Sequence, residues 1–197
     1  MPTADRTLAL LGVASVAVSL GGITVAMLVS PWFAIDRHAL SLLGVAGLAT
    51  APLFNGALLV GGALGAGFVT YVSTVTDHPI RMAALVVLFL ATVFMALVGV
   101  FPLPAALHGP VAISFFAFLT LGVLLWGLGD YAAGQAVRGA AFVLGAAVHV
   151  AVWAWWLTLD WLPPGIAVPE LVGSIVLAGW VLWVTRDALA ASAPESV

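Results

Sequence analysis

Long apolar stretches separated by short polar segments dominate this sequence. A helix needs about 20 apolar residues to cross about 30 Å of hydrocarbon, and six stretches have roughly that length. They are Leu8–Val29, Pro52–Val72, Met82–Val100, Pro110–Leu128, Gly139–Leu159 and Pro169–Thr185. The pattern predicts an all-α polytopic membrane protein, in which six transmembrane helices form one bundle and a single domain over residues 1–197.

The segment between the first two spans has a different pattern. Residues 31–51 contain the charged triplet Asp36-Arg37-His38, and the apolar part that follows is too short to cross a bilayer. We expect a loop and a short helix at the membrane interface here. Ahead of it, the apolar run after Arg6 is longer than the apolar part of a signal peptide, so we expect that run to be the first spanning helix.

The placement of arginine predicts the orientation. With six spans, the N-terminus, the second and fourth loops and the C-terminal tail, residues 186–197, lie on one side. That side carries Arg6, Arg81, Arg138 and Arg186, whereas Arg37 alone falls on the other side. Because arginine is enriched in cytoplasmic loops, we expect a multi-pass protein of the cell membrane with both termini in the cytoplasm.

Composition supports the membrane assignment and excludes several functions. Of the residues, 64% are hydrophobic and 7% are charged, whereas soluble domains are about half apolar and about a quarter charged. The lack of cysteine excludes disulfides and thiol nucleophiles, and the lack of lysine excludes a Schiff base. Five basic residues against eight carboxylates offer no patch for nucleic acid. The acidic, lysine-free composition suggests a high-GC, archaeal-like genome.

Polar residues in or near the spans are the candidates for function, because a polar side chain in hydrocarbon costs free energy unless it finds a partner. The candidates toward the predicted outer side are His38, Ser41, Asn55, His108, His149 and Glu170. The deepest is His149, roughly 15 Å below the outer end of its helix. A structural role stays open for His149, Asn55 and Glu170, since each side chain could bond to a neighbouring helix or, for Glu170, favour a helix start.

These residues lead to three hypotheses of function. The first is non-catalytic binding of a lipid, a small lipophilic ligand or a partner helix in an outward-facing polar pocket that all six candidates line. The alternative is a membrane-embedded enzyme that modifies lipid, with His108 and Glu170, joined by His38, as metal ligands or as acid and base. The third is a proton-coupled transporter that uses His149. We assign no catalytic residue, metal ligand or cofactor, and a homo-oligomer is left open.

Charged residues on the predicted inner side have a simpler interpretation. Arg81 falls in the second loop, Asp130 and Arg138 in the fourth, and Asp187 after the last span. We expect solvated loops with local ion pairs, which contribute little stability.

Short motifs in the first half of the chain resemble a known family. Ala39-Leu40-Ser41-Leu42-Leu43-Gly44 is followed by Phe54-Asn55-Gly56-Ala57-Leu58-Leu59-Val60-Gly61-Gly62, then by Val98-Gly99-Val100-Phe101-Pro102 and His108. From about Pro31 to Trp183 the chain resembles the membrane proteins catalogued as domain of unknown function 998. The resemblance implies a helical bundle in the cell membrane and supplies no reaction.

The family pattern bears on three of the candidate residues. Ser41, Asn55 and His108 match polar positions of that pattern. This chain departs from it at His38, where relatives often have asparagine, and at Leu42, where they often have an acid. A catalytic role for that acid would therefore not extend to this chain.

The predicted topology can be tested directly, because the chain has no native cysteine. A single cysteine at Ala106 should react with an impermeant thiol reagent added outside intact cells, and a cysteine at Ala191 should react only after the membrane is opened. The opposite labelling pattern would invert the orientation.

Overall fold

The bundle expected from the sequence is present in a computed structural model, which describes residues 6–158 and 165–191. Its helices are α1 Arg6–Leu28, α2 Ala51–Thr74, α3 Pro79–Val100, α4 His108–Ala132, α5 Ala136–Leu157 and α6 Ala167–Ala191. Each is long and apolar enough to cross a membrane, and the described ranges contain no strand. The predicted all-α fold with six spans is confirmed. Leu159 and residues 192–197, expected in the fifth span and the tail, lie outside the described residues.

The six helices form a closed ring. Each helix packs against the next in chain order, α6 returns to α1, and α6 also contacts α4. Short connections make consecutive helices antiparallel neighbours. Large side chains fill the interior, among them Phe68, Leu88, Leu119 and Trp180, all fully buried.

Glycine allows two pairs of helices to approach closely. A Cβ on Gly62 of α2 would lie 2.7 Å from the backbone oxygen of Thr92 in α3. A Cβ on Gly139 of α5 would lie 2.7 Å from the backbone oxygen of Gly127 in α4. Small residues commonly bring helix backbones together in membranes, so α4 and α5 are in tight contact near Gly127 and Gly139.

The segment between α1 and α2 folds onto the bundle. It contains a short 3-10 helix, Leu40–Gly44, in which Leu40 and Leu43 are buried. This helix contacts α2 and α1, and Thr50 donates its hydroxyl proton to the Leu43 carbonyl at 2.8 Å. A short helix was expected here, and its location at a membrane interface stays a prediction.

The charged residues expected in solvated loops form one cluster of ion pairs, in which Asp130 is buried and Asp187 is 41% exposed. The Asp130 carboxylate has no exposed surface and lies 2.6 Å from Nε of Arg138 and 2.7 Å from Nη2 of Arg81. Arg138 also contacts Asp187 through Nη1 at 2.5 Å. We call these four residues the Asp130 cluster; they come from α3, α4, α5 and α6.

The expected ion pairs are present, but the solvated-loop interpretation is wrong for Arg81, Asp130 and Arg138, because the helices extend further than the apolar runs. The predicted fourth span ends at Leu128, but α4 continues to Ala132 and therefore includes Asp130. The helical extension places Asp130 among the neighbouring helices rather than in a loop. Likewise, α3 and α5 begin before Arg81 and Arg138, and α6 runs past Asp187.

The Asp130 cluster predicts a large effect of neutralising its central carboxylate. Asp130→Asn leaves two arginines without their shared counter-charge, so the free energy of unfolding should fall by about 3–5 kcal/mol. Asp36→Asn is the matched control, because the Asp36–Arg37 pair is 3.5 Å apart and both side chains are more than half exposed. That control should change the free energy by less than about 1 kcal/mol.

Denaturant titration in detergent micelles measures both changes. Equal stabilities for Asp130→Asn and Asp36→Asn would contradict a structural role for the cluster.

Candidate functional site

A groove of about 770 Å³ opens on the side of the bundle between α4, α5 and the start of α6. Its wall is mainly apolar, and three of its residues, Ile113, Val150 and Leu157, are more than half exposed at the surface. The lining residues from α4 and α5 include Ile113, Phe116, Ala117, Leu121, Leu124, Val150, Trp153, Ala154 and Leu157. We call this depression the lateral groove.

The packing of α5 accounts for the lateral groove. Among the six spans, α5 is the least buried. It touches α4 closely at Gly127 and Gly139, whereas the groove lies on the far side of that contact, from Leu124 toward Ile113 on α4. The two helices therefore meet near the Asp130 cluster and leave space between them beyond it.

His149 lies in the wall of the lateral groove and is 1% exposed. The indole N–H of Trp153 donates to its Nε2 at 2.9 Å. Its Nδ1 lies 2.7 Å from the hydroxyl of Thr120, and that hydroxyl lies 2.7 Å from the Phe116 carbonyl.

One arrangement of protons satisfies all of these contacts. An indole nitrogen only donates, so Nε2 of His149 accepts and the ring proton is on Nδ1. Nδ1 then donates to Thr120, which in turn donates its own proton to the Phe116 carbonyl. Every polar atom of His149 is paired within the protein, and this geometry matches the neutral, hydrogen-bonded histidine that the sequence left open.

Glu170 joins the lateral groove to the segment before α2. Its side chain is 5% exposed, and Oε2 accepts the backbone N–H of Leu40 at 2.6 Å. The start of a helix leaves backbone N–H groups without helical partners, and Glu170 supplies one for the 3-10 helix. The carboxylate thus holds that helix against the first turn of α6.

A smaller cavity of about 40 Å³ lies on the other side of Glu170, inside the ring. Ser41, His108, Glu170 and Ser174 contribute its polar lining. His108 donates Nδ1–H to the Phe101 carbonyl at 2.8 Å, and Ser174 donates to the Glu170 carbonyl at 2.9 Å. The volume suffices for a few water molecules.

The two remaining candidates lie elsewhere. Asn55 donates its amide to the Gly44 carbonyl at 2.8 Å and lines a separate surface depression with Gly99. His38 accepts the Ala34 N–H at Nδ1, 2.9 Å away, and its ring packs near Trp32. The six candidates therefore do not line one common pocket. Their predicted depth in the membrane does not specify which face of a helix each residue occupies.

Among the described residues, this smaller cavity contains no assembled acid–base relay. Within residues 6–158 and 165–191, no hydrogen bond joins the His108 ring to Ser41 or Glu170, since its Nδ1 is held by a carbonyl. No group of three or more histidine, aspartate or glutamate side chains suited to a metal ion occurs in the described residues.

Sequence reasoning missed the two side chains of the lateral groove that hydrogen-bond to His149. Trp153 lies four residues after His149, a spacing that places both on one helix face, so it could have been found. Thr120 belongs to another helix, and no local signal links it to His149.

Together these features define a polytopic membrane protein with a laterally open, mainly apolar groove. The chain belongs to the family described as Protein of unknown function (DUF998), whose pattern matches residues 13–187. This confirms the resemblance noted in the sequence. No curated protein and no solved structure matches the chain.

The hydrogen-bond chain at His149 predicts a specific cost. Trp153→Phe keeps the apolar wall but removes the donor to Nε2, and an unpaired buried acceptor costs about 1–3 kcal/mol. The free energy of unfolding should fall by that amount. Trp155→Phe, on the same helix and 56% exposed, is the control and should have little effect. If the two variants lose equal stability, the chain of bonds does not stabilise the fold.

Proposed function

We propose that the protein binds a lipid or another long lipophilic molecule in the lateral groove, without transforming it. The observation that carries the proposal is the groove itself, about 770 Å³ and mainly apolar. Sites for small molecules commonly measure 300–1,000 Å³ and combine an apolar wall with a few polar groups. The lateral groove has both properties.

The position of the groove along the helices favours a ligand from the bilayer. From Leu124 to Ile113 its α4 wall extends about 16 Å at 1.5 Å per residue, which is well within about 30 Å of hydrocarbon. The exposed rim at Ile113 and Val150 would face acyl chains. A lipid chain could enter sideways without passing through water.

The chemistry of the wall favours a slender chain over a partner helix. Helix–helix contacts in membranes favour small residues, as at Gly127 and Gly139. The described lining of the lateral groove contains three alanines but no glycine, and it presents the large rings of Phe116 and Trp153. Such rings make a cleft suited to a narrow apolar chain.

The orientation completes the proposal. We infer a cell-membrane location with both termini in the cytoplasm, from the four arginines that share one side of the predicted topology. Glu170, at the start of α6, then lies toward the outer face, and the Asp130 cluster lies toward the cytoplasm. In this orientation the lateral groove opens into the outer half of the bilayer.

Filling the groove should weaken binding. Ala117 and Ala154 both line it and are exposed, so the double variant Ala117→Phe, Ala154→Phe adds two rings to the groove while the core is unchanged. Overpacking typically costs about 1–3 kcal/mol, so the occupancy of a co-purifying lipid should fall about tenfold. Native mass spectrometry of protein extracted in mild detergent measures that occupancy.

Ala151→Phe is the matched control, because Ala151 is exposed on α5 but does not line the groove. It should retain the lipid at the level of the unmodified chain. Lipid retained equally by the filled variant would refute the proposal, as would a protein helix crosslinked into the groove in place of lipid.

A further inference from the structure

Gly173 of α6 lies directly against the imidazole of His149. A Cβ on Gly173 would lie 2.5 Å from Nε2 and 2.8 Å from Cε1 of that ring. The imidazole therefore rests on helix backbone that carries no side chain. Because atoms in ordinary contact are about 3.5–4.0 Å apart, any side chain at position 173 would displace the ring by about 1 Å or more.

The surroundings of the His149 ring leave it one direction in which to move. Its Nδ1 is hydrogen-bonded to Thr120 at 2.7 Å, and its Nε2 accepts the Trp153 N–H at 2.9 Å. The centroid of the Phe116 ring lies 5.9 Å from that of His149. The open space beside the ring is the lateral groove, which His149 lines and Gly173 does not. A displaced imidazole would therefore turn into the groove.

The helix that carries His149 is held on both sides of it, so α5 does not readily move instead. Toward the inner end, Arg138 binds Asp130 and Gly139 packs on α4. Toward the other end, the indole N–H of Trp156 donates to the carbonyl of Gly165, just before α6. Extra volume at position 173 is therefore taken up by the imidazole rather than by a shift of the whole helix.

Resting on the proposed function, we propose that Gly173 is a positioning residue of the lipid site. Because it places no side chain under His149, the imidazole seats against α6 and stays out of the lateral groove. The groove then keeps the depth that a lipid chain needs. In this arrangement His149 forms part of the wall, and its nitrogens serve Thr120 and Trp153 rather than the ligand.

Gly173→Ala tests the seat. Hexadecanol with a photoreactive diazirine in mid-chain is titrated into the full chain in detergent micelles, and peptide mass spectrometry quantifies labelling of groove residues in α4 and α5. The concentration for half-maximal labelling should rise about tenfold, since the ring narrows the groove. Gly179→Ala is the matched control on the same helix, because a Cβ on Gly179 meets no atom within 4 Å. It should leave that concentration unchanged.

A double-mutant cycle separates the ring from other effects of the added methyl group. Residues in contact are energetically coupled, so the effect of Gly173→Ala should depend on the imidazole. In a His149→Ala background, Gly173→Ala should change the half-maximal concentration by less than about twofold. An equal loss in both backgrounds would overturn the inference, because the methyl group would then act without the ring.

The outcomes distinguish this inference from the proposed function. If hexadecanol labels no groove residue of the unmodified chain, both are wrong. If the Ala117→Phe, Ala154→Phe variant loses labelling while Gly173→Ala keeps it, the inference alone is wrong.

Should Gly173→Ala fail to fold, His149→Trp takes its place. An indole is too large for the seat and must enter the groove, so the half-maximal concentration should again rise about tenfold. Unchanged labelling of that variant would overturn the inference.

Discussion

The buried carboxylate of Asp130 holds one end of this bundle together. It has no exposed surface and pairs with arginines from α3 and α5, while Asp187 of α6 joins through Arg138. A buried charge without a partner is strongly unfavourable, so four helix ends must converge around it. Gly127 and Gly139 add a close contact between α4 and α5 at this end. The position of α5 is therefore fixed near Asp130 and less constrained toward its other end.

The lateral groove follows from this uneven packing. Beyond the glycine contact, α4 and α5 leave about 770 Å³ between them and α6, and His149 bridges the space through Thr120 rather than closing it. Because those polar atoms satisfy one another, the groove stays apolar in character despite a histidine in its wall. Glu170 also lines the groove, and one of its oxygens fastens the 3-10 helix.

The fold could be predicted from sequence because the length of an apolar run is a local property. The site could not, because its contacts join distant residues: Leu40 and Glu170 are 130 positions apart, and Thr120 and His149 are 29 apart. Asp130 was misplaced in a loop because apolarity ends at Leu128 while the helix continues. The membrane depth predicted for His149 is consistent with its burial. Predicted depth could not show that Asn55 faces a different surface from Glu170.

The central claim is that a lipid chain occupies the lateral groove. An experimental density map of the protein in nanodiscs tests it most directly. The account predicts one elongated, non-protein density in the lateral groove, lying along Phe116 and Trp153. A groove closed by α5 packing against α4, or filled by a helix of another chain, would contradict it.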